Sequence, residues 1–569
     1  MDKRKLLTVA GIGIAMLIMI ISVIVMVVNR LTPSDEIKPL NEHYSVNDGE
    51  VLLFMENYIY EKRGLIFDNT VYVDYETVES AVNHRMYWDA KENVLLYTTP
   101  TEVIKASVGE KKYYINKSEV TTEYTIVKST GDQVYVALPF IKEFSNLEYK
   151  EFDNPKRVIF SCNWGKEFLY ADAQRVTAIR VEADIKSPIL QDVEDGAKLV
   201  YTPDMESKGG FSKVMTEEGV IGYVREKYIS ESYHEKMTND YVEPEYPSIH
   251  RNDKINMVWH QVFKKEANDS LLELLESTKG VNVISPTWFT VINNNGDISS
   301  LANEKYVERA HNAGIEVWAL IADFGDNMSV DMKEVLSYTS KREKLINALI
   351  SEVIKYNIDG INIDFEKIPS EAGRDFIQFI RELSIKCRGN SIVLSVDNYV
   401  PMQHTAFYDR EEQGKIVDYV ITMAYDEHYA GSKEAGSVSS ISYVQNAVDK
   451  IAEQVPEDKI IIALPFYSRL WKETGTGDNI ELSSEAYSMV KAEKILKDEG
   501  AEASWNEEVA QNYAQFEKDG ATYRIWLEDE ESYKYKLEAV FSKNIAGVAA
   551  WKLGLEKAQI WDLIAKYIN

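Results

Sequence analysis

Asp359-Gly360-Ile361-Asn362-Ile363-Asp364-Phe365-Glu366 decides the fold of the longer half of this 569-residue chain. Side chains on a strand alternate between its two faces. Ile361, Ile363 and Phe365 therefore share one face, suited to packing against helices. Asn362, Asp364 and Glu366 share the other. Two carboxyls and an amide are costly to bury without a purpose. An ionised Asp364 would raise the pKa of Glu366 and keep it protonated, as a general acid requires. The bland alternative is a solvated strand end with chance acidic residues, and the clean alternation speaks against it.

Outward from this stretch, residues from about Lys254 alternate between short apolar runs and amphipathic helices. The strand candidates are Ile255–Phe263, Val281–Ser285, Val317–Asp323, Gly360–Glu366, Ile392–Asn398, Tyr419–Ala424, Ile460–Leu464 and Gly547–Trp551. Leu345, Ile346, Leu349, Ile350 and Val353 form one core-facing helical stripe, and Phe376, Phe379, Ile380 and Leu383 form another. Eight β-then-α units in this length are the arithmetic of an α/β (β/α)₈ TIM barrel. A doubly wound open sheet would offer a Gly-rich loop after its first strand, and none is present. The long interval between the seventh and eighth strands, which includes Ala521-Thr522-Tyr523-Arg524-Ile525-Trp526-Leu527, predicts a small inserted α+β lobe. In such barrels the active site lies at the C-terminal strand ends. That places Glu366 at the mouth, with Trp288, Asp323, Asn398 and Tyr399 as further strand-end candidates.

Asp-Gly-x-Asn-x-Asp-x-Glu resembles the Asp-Gly-x-Asp-x-Asp-x-Glu signature of glycoside hydrolase family 18, the chitinases and related bacterial cell-wall and spore-cortex N-acetylglucosaminidases. The departure is Asn362, where chitinases usually carry Asp. It removes one negative neighbour of Asp364, so activity with an altered pH profile is expected. Met423-Ala424-Tyr425-Asp426 resembles the family's Met-x-Tyr-Asp motif, and Trp551 matches its sugar-stacking tryptophan. The resemblance covers residues 252–569. It implies substrate-assisted, retaining hydrolysis, in which the sugar's own 2-acetamido oxygen is the nucleophile. Glu366 would protonate the glycosidic oxygen, Asp364 would orient the acetamido N–H, and Tyr425 would hold its oxygen. Asn362, Met423, Asp426, Trp551, Trp288 and Asn398 would line the sugar site. No metal or organic cofactor is implied.

The first half of the chain reads differently. Leu6–Val28 carries no charge and as a helix would reach about 34 Å, enough to cross a bilayer. Lys3, Arg4 and Lys5 precede it, which predicts a transmembrane anchor over residues 1–30 with a cytoplasmic N-terminus and an extracellular remainder. A cleaved signal peptide is the competing reading, but Val25-Met26-Val27-Val28-Asn29-Arg30 is a poor cleavage site. Residues 29–45 read as a polar stalk. Within residues 31–170, Val71-Tyr72-Val73 leading to Trp88–Leu95 is echoed by Val134-Tyr135-Val136 leading to Phe152–Ile159. This pattern resembles the N-terminal domain of copper amine oxidases, without a ligand cluster for copper. Residues 171–235, with Phe211-Ser212-Lys213-Val214 and Gly222-Tyr223-Val224, resemble the bacterial SH3-like modules of cell-wall enzymes, which implies wall binding or a spacer. Residues 236–251, with Pro244 and Pro247, read as a linker.

A net charge of −29 argues against a nucleic-acid partner. The two cysteines, Cys162 and Cys387, are far apart, so neither a disulfide nor a zinc site is expected. The expected partners are an N-acetylglucosamine-containing polysaccharide, the wall through the SH3-like module, and the membrane through the N-terminal helix. The alternative function is a catalytically silent glycan-binding surface protein. A purely structural wall anchor is the third reading, and the inward polar ladder argues against it.

Overall fold

In the computed structural model the described residues are 3–325, 330–475 and 481–568, with the side chain of Lys5 outside the description. They form two compact units. One comprises Met1–Trp88, Val94–Tyr97 and Ile104–Glu243, the other Asp89–Asn93, Thr98–Val103 and Pro244–Asn569.

The second unit is a closed barrel of eight parallel strands. In order they are Ile255–His260, Val283–Pro286, Glu316–Ala322, Gly360–Asp364, Val393–Tyr399, Tyr419–Met423, Ile460–Pro465 and Gly547–Trp551. Each pairs with the next, and the eighth pairs with the first through Gly547 opposite Ile255. Strand existence and order match the expectation, with ends shifted by at most three residues. The fourth strand stops at Asp364, so Glu366 sits just past its end. Ile361, Ile363 and Phe365 pack outward with Phe376, Phe379 and Ile380, in the layer between barrel and helices. The barrel interior holds Met257, Trp259, Trp318, Leu320, Tyr419 and Ile421, so it is a packed core and not a pore. Gly360 is required there. A Cβ on it would lie 2.7 Å from Cδ1 of the Trp318 ring that fills the barrel floor.

The expected insertion is present between strands seven and eight. It is a five-stranded sheet that includes Tyr467–Thr474, Gln511–Lys518 and Ala521–Trp526, backed by the helix Met489–Glu499. A buried ion pair, Lys536 with Glu528, sits where the lobe rejoins the barrel helix Glu530–Val540, and Gln511 Nε2 donates to Glu528 Oε1 at 2.8 Å.

The first unit begins with one helix, Lys3–Leu31. Within it, Leu6–Leu31 is long and apolar enough to cross a membrane and is not buried against the protein. The echoed segments are built alike: Thr70–Asp74 and Gln133–Ala137 pair antiparallel in a seven-stranded sheet, and each runs into a short helical stretch and then a hairpin. The second β module is an antiparallel sheet that starts at Glu167, four residues before the expected boundary, because Glu167–Asp172 pairs with Tyr233–Lys236. Residues 34–44 are not a free stalk. Lys38 N donates to Ile189 O at 2.9 Å, and the Tyr44 hydroxyl accepts from Ile221 N at 2.9 Å. Both cysteines are free thiols.

Candidate active site

Alternation carries the inner face of the fourth strand upward from Gly360 to Asn362 and Asp364. Asn362 is 0% exposed, and its amide is saturated. Its Oδ1 accepts from Trp259 Nε1 at 2.9 Å and from Ser285 Oγ at 3.1 Å, and its Nδ2 donates to Ser395 Oγ at 3.1 Å and Asp397 Oδ1 at 2.8 Å. An indole N–H only donates, which fixes which end of the amide faces which neighbour. The expected sugar-lining role of Asn362 is therefore corrected. It lies a layer below the cleft and braces the residues above it.

Asp364 is the next inward residue, 6% exposed, and its Oδ1 has no hydrogen-bond partner among the described residues. Burial, and then the neighbouring Asp397, Glu366 and Asp323, push its carboxyl well above the usual range. Glu366 follows in the turn. Its backbone N–H and that of Lys367 donate to Asp323 Oδ1 and Oδ2 at 2.9 and 2.8 Å, so the end of the third strand clamps this turn. The Tyr399 hydroxyl donates to Glu366 Oε2 at 2.6 Å. Burial raises the Glu366 pKa. The Tyr399 bond opposes this and the charge of Asp426 adds to it. Asp323, buried but bonded by two amides, is pushed up to about 6.

The sixth strand places Met423 and then Tyr425 on the inner side, in phase with Tyr419 and Ile421. Burial first, and then the charge of Asp364, raises the Tyr425 phenol well above its ordinary value, so it remains a neutral donor. Asp426 is exposed and accepts a 2.6 Å hydrogen bond from the Tyr467 hydroxyl. Trp551 ends the eighth strand half-buried, its ring 5.9 Å from that of Trp259 and tilted by 55°. Among the described residues no group of three or more His, Cys, Asp or Glu side chains is arranged to hold a metal ion.

Two expected sugar contacts are corrected. Trp288 is 1% exposed, its ring N–H donates to Asn268 Oδ1 at 2.8 Å, and it packs edge-on against Tyr306 in the outer core. Asn398 is 1% exposed and points outward, donating to Gln413 Oε1 at 2.7 Å. Its neighbours Asp397 and Tyr399 are the inward residues of the fifth strand. Asp397 was missed in the sequence, although Ser395, Asp397 and Tyr399 alternate with Leu394 and Val396 and so carried the same period-two signal as the fourth strand.

A closed parallel barrel whose inward carboxyls and aromatic rings gather at the C-terminal strand ends has the build of a glycoside hydrolase. The family model for glycosyl hydrolases family 18 matches residues 259–556, more than half of the chain, and the chain belongs to that family. A copper amine oxidase N-terminal domain model matches residues 54–160. Among curated proteins the chain is similar to the uncharacterized glycosylase YvbX of Bacillus subtilis (strain 168), 26% identical over 50% of this chain and 84% of that protein. It is also similar to the cortical fragment-lytic enzyme of Bacillus cereus, 26% identical over 42% of this chain and 57% of that protein. Among solved structures it shares the fold of the Bacillus cereus spore cortex-lytic enzyme SleL, with a TM-score of 0.50 and 20% identity over 57% of this chain and 76% of that one.

Proposed function

We propose that this chain is a surface-anchored glycosidase that hydrolyses β-1,4 linkages of N-acetylglucosamine-containing glycans, peptidoglycan or chitin-like, by substrate-assisted retention. The observation that carries this reading is Glu366: a half-buried carboxyl at the barrel mouth, its turn clamped by Asp323 and its pKa raised by burial. A raised pKa favours the protonated form that a general acid needs. Glu366 protonates the glycosidic oxygen, and the C1–O bond breaks as the sugar's acetamido oxygen bonds to C1. Asp364 faces the acetamido N–H and the positive charge of the resulting oxazolinium ion. The neutral Tyr425 hydroxyl donates to the acetamido oxygen, and Trp551 stacks beneath the ring. Water, deprotonated by Glu366, then opens the oxazolinium at C1 with net retention. Asp426 and Met423 line the same subsite. The curated relative named for cortical fragment lysis supports a wall glycan as substrate. The apolar Leu6–Leu31 helix supports anchoring, and residues 171–235, of SH3-like type, serve as a wall-contact module or as a spacer.

The test is release of reducing ends by the full chain in detergent, from purified peptidoglycan and from chitooligosaccharides. Glu366→Gln is expected to lower turnover by about 10²–10⁴-fold, the range for losing a general acid, and substrates without the N-acetyl group are expected to be inert. Wild-type turnover by Glu366→Gln would overturn the assignment.

A further inference from the structure

Where the family signature has a second acid, this chain has Asn362, and an acid stands instead on the neighbouring strand. The register of the fourth and fifth strands pairs Asn362 with Ser395 and Ile363 with Val396, so Asp364 and Asp397 are the next cross-strand neighbours on the inner face. Such neighbours stand about 5 Å apart. Each of the two carboxyls has one buried oxygen without a partner, Asp364 Oδ1 and Asp397 Oδ2. The other oxygen of Asp397 is held by Asn362 Nδ2, whose amide is itself fixed from behind by Trp259 and Ser285. The groups acting on Asp364 are Asp397, Glu366 and Asp323, all acidic, and those acting on Asp397 are Asn362 and Glu366. The phenols of Tyr399, Tyr408 and Tyr425 feel the Asp364 charge from the fifth strand, the segment after it and the sixth strand. Two bare carboxylates cannot both persist side by side in a dry barrel without a cation.

We propose that Asp397 is a positioning residue that shares one proton with Asp364 across the strand pair, restoring from the fifth strand the acid absent at position 362. A single O–H···O bond between the two partnerless oxygens satisfies both. As positive charge builds on the oxazolinium ring, the Asp364 O–H bond breaks and the proton passes wholly to Asp397. Asp364 is then a carboxylate facing the cation. The proton returns when hydrolysis discharges the ring, so the pair's proton count is unchanged over a turnover. This inference rests on the role given above to Asp364.

Three variants of the full chain test it: Asp397→Asn, Asn362→Asp, and the exchange Asn362→Asp/Asp397→Asn. Asp397→Asn is expected to lower kcat by about tenfold or more with little change in KM, less than the loss of the general acid itself because Asp397 acts through Asp364. Removing a negative neighbour also lowers the pKa values of the remaining acids, so the basic limb of the kcat profile should move to lower pH. The exchange variant returns the acid from the other strand and is expected to recover a substantial part of kcat. A merely structural Asp397 would move neither the limb nor the recovery. Wild-type kcat and pH profile in Asp397→Asn, or no recovery in the exchange, would overturn the proposal. Infrared difference spectra of wild type minus Asp397→Asn should show one protonated-carboxyl band at neutral pH. That readout needs no turnover. The band with an inactive wild type would sink the glycosidase reading and leave the shared proton standing, whereas activity without the band would sink the shared proton alone.

Discussion

Tyr399 donates its hydroxyl to Glu366, and a hydrogen bond to the charged form of an acid favours that form. Tyr399→Phe therefore removes an influence that lowers the Glu366 pKa. The acid stays protonated to higher pH, so the basic limb of kcat should move upward in a pH–rate profile, opposite in direction to the shift expected for Asp397→Asn. A fall in kcat of about tenfold should accompany it as the carboxyl loses its orientation. At this scale the fourth strand was legible because every second residue is polar. On the fifth strand the polar pattern pointed to both Asn398 and Tyr399 and passed over Asp397: Asn398 is polar but faces outward to Gln413, while Asp397 and Tyr399 face the cleft. Trp288 was misread because an aromatic residue near a strand end has the same sequence signature in the outer core as in a cleft. Its burial, its bond to Asn268 and its packing against Tyr306 separate the two.

Single elements carry stability in ways that titration and exchange can expose. His260, which ends the first strand, is buried, its Nδ1 2.9 Å from the Tyr306 hydroxyl on the helix Glu304–Asn312. Burial pushes its pKa down to about 4. The unfolded chain, with an ordinary value near 6.5, binds the proton first. The neutral-imidazole contribution is therefore complete above about pH 6.5 and is lost as pH falls toward about 4, up to about 3 kcal/mol. Urea unfolding followed by tryptophan fluorescence should show this slope, and His260→Gln should flatten it. Farther along, Lys536→Met would strand Glu528 without its cation and is expected to destabilise the barrel by about 3–5 kcal/mol, while adding Glu528→Leu should return most of that. The eight strands were visible as apolar runs bounded by helical stripes. The inserted lobe was visible only as an interval too long for one helix. Its sheet order was not, since the pairing of Tyr467–Thr474 with Ala521–Trp526 joins residues far apart in the chain.

For the molecule as a whole, the apolar Leu6–Leu31 helix makes a direct claim. If it spans a bilayer, the full chain should stay in the membrane pellet through an alkaline carbonate wash. Ile18→Lys together with Ile21→Lys should move it to the soluble fraction, since each lysine at mid-span costs about 3 kcal/mol. The eight-strand ring has a different consequence. Each of its strands is already flanked on both sides, the last by the first, so the ring offers no bare ladder to which a neighbouring extended chain could add. An enzyme working in a dense meshwork of polymer, crowded against its own copies, would thus carry its catalytic ring in a form without a seam, and sticking by strand addition would have to begin elsewhere, as at the open sheet of the inserted lobe.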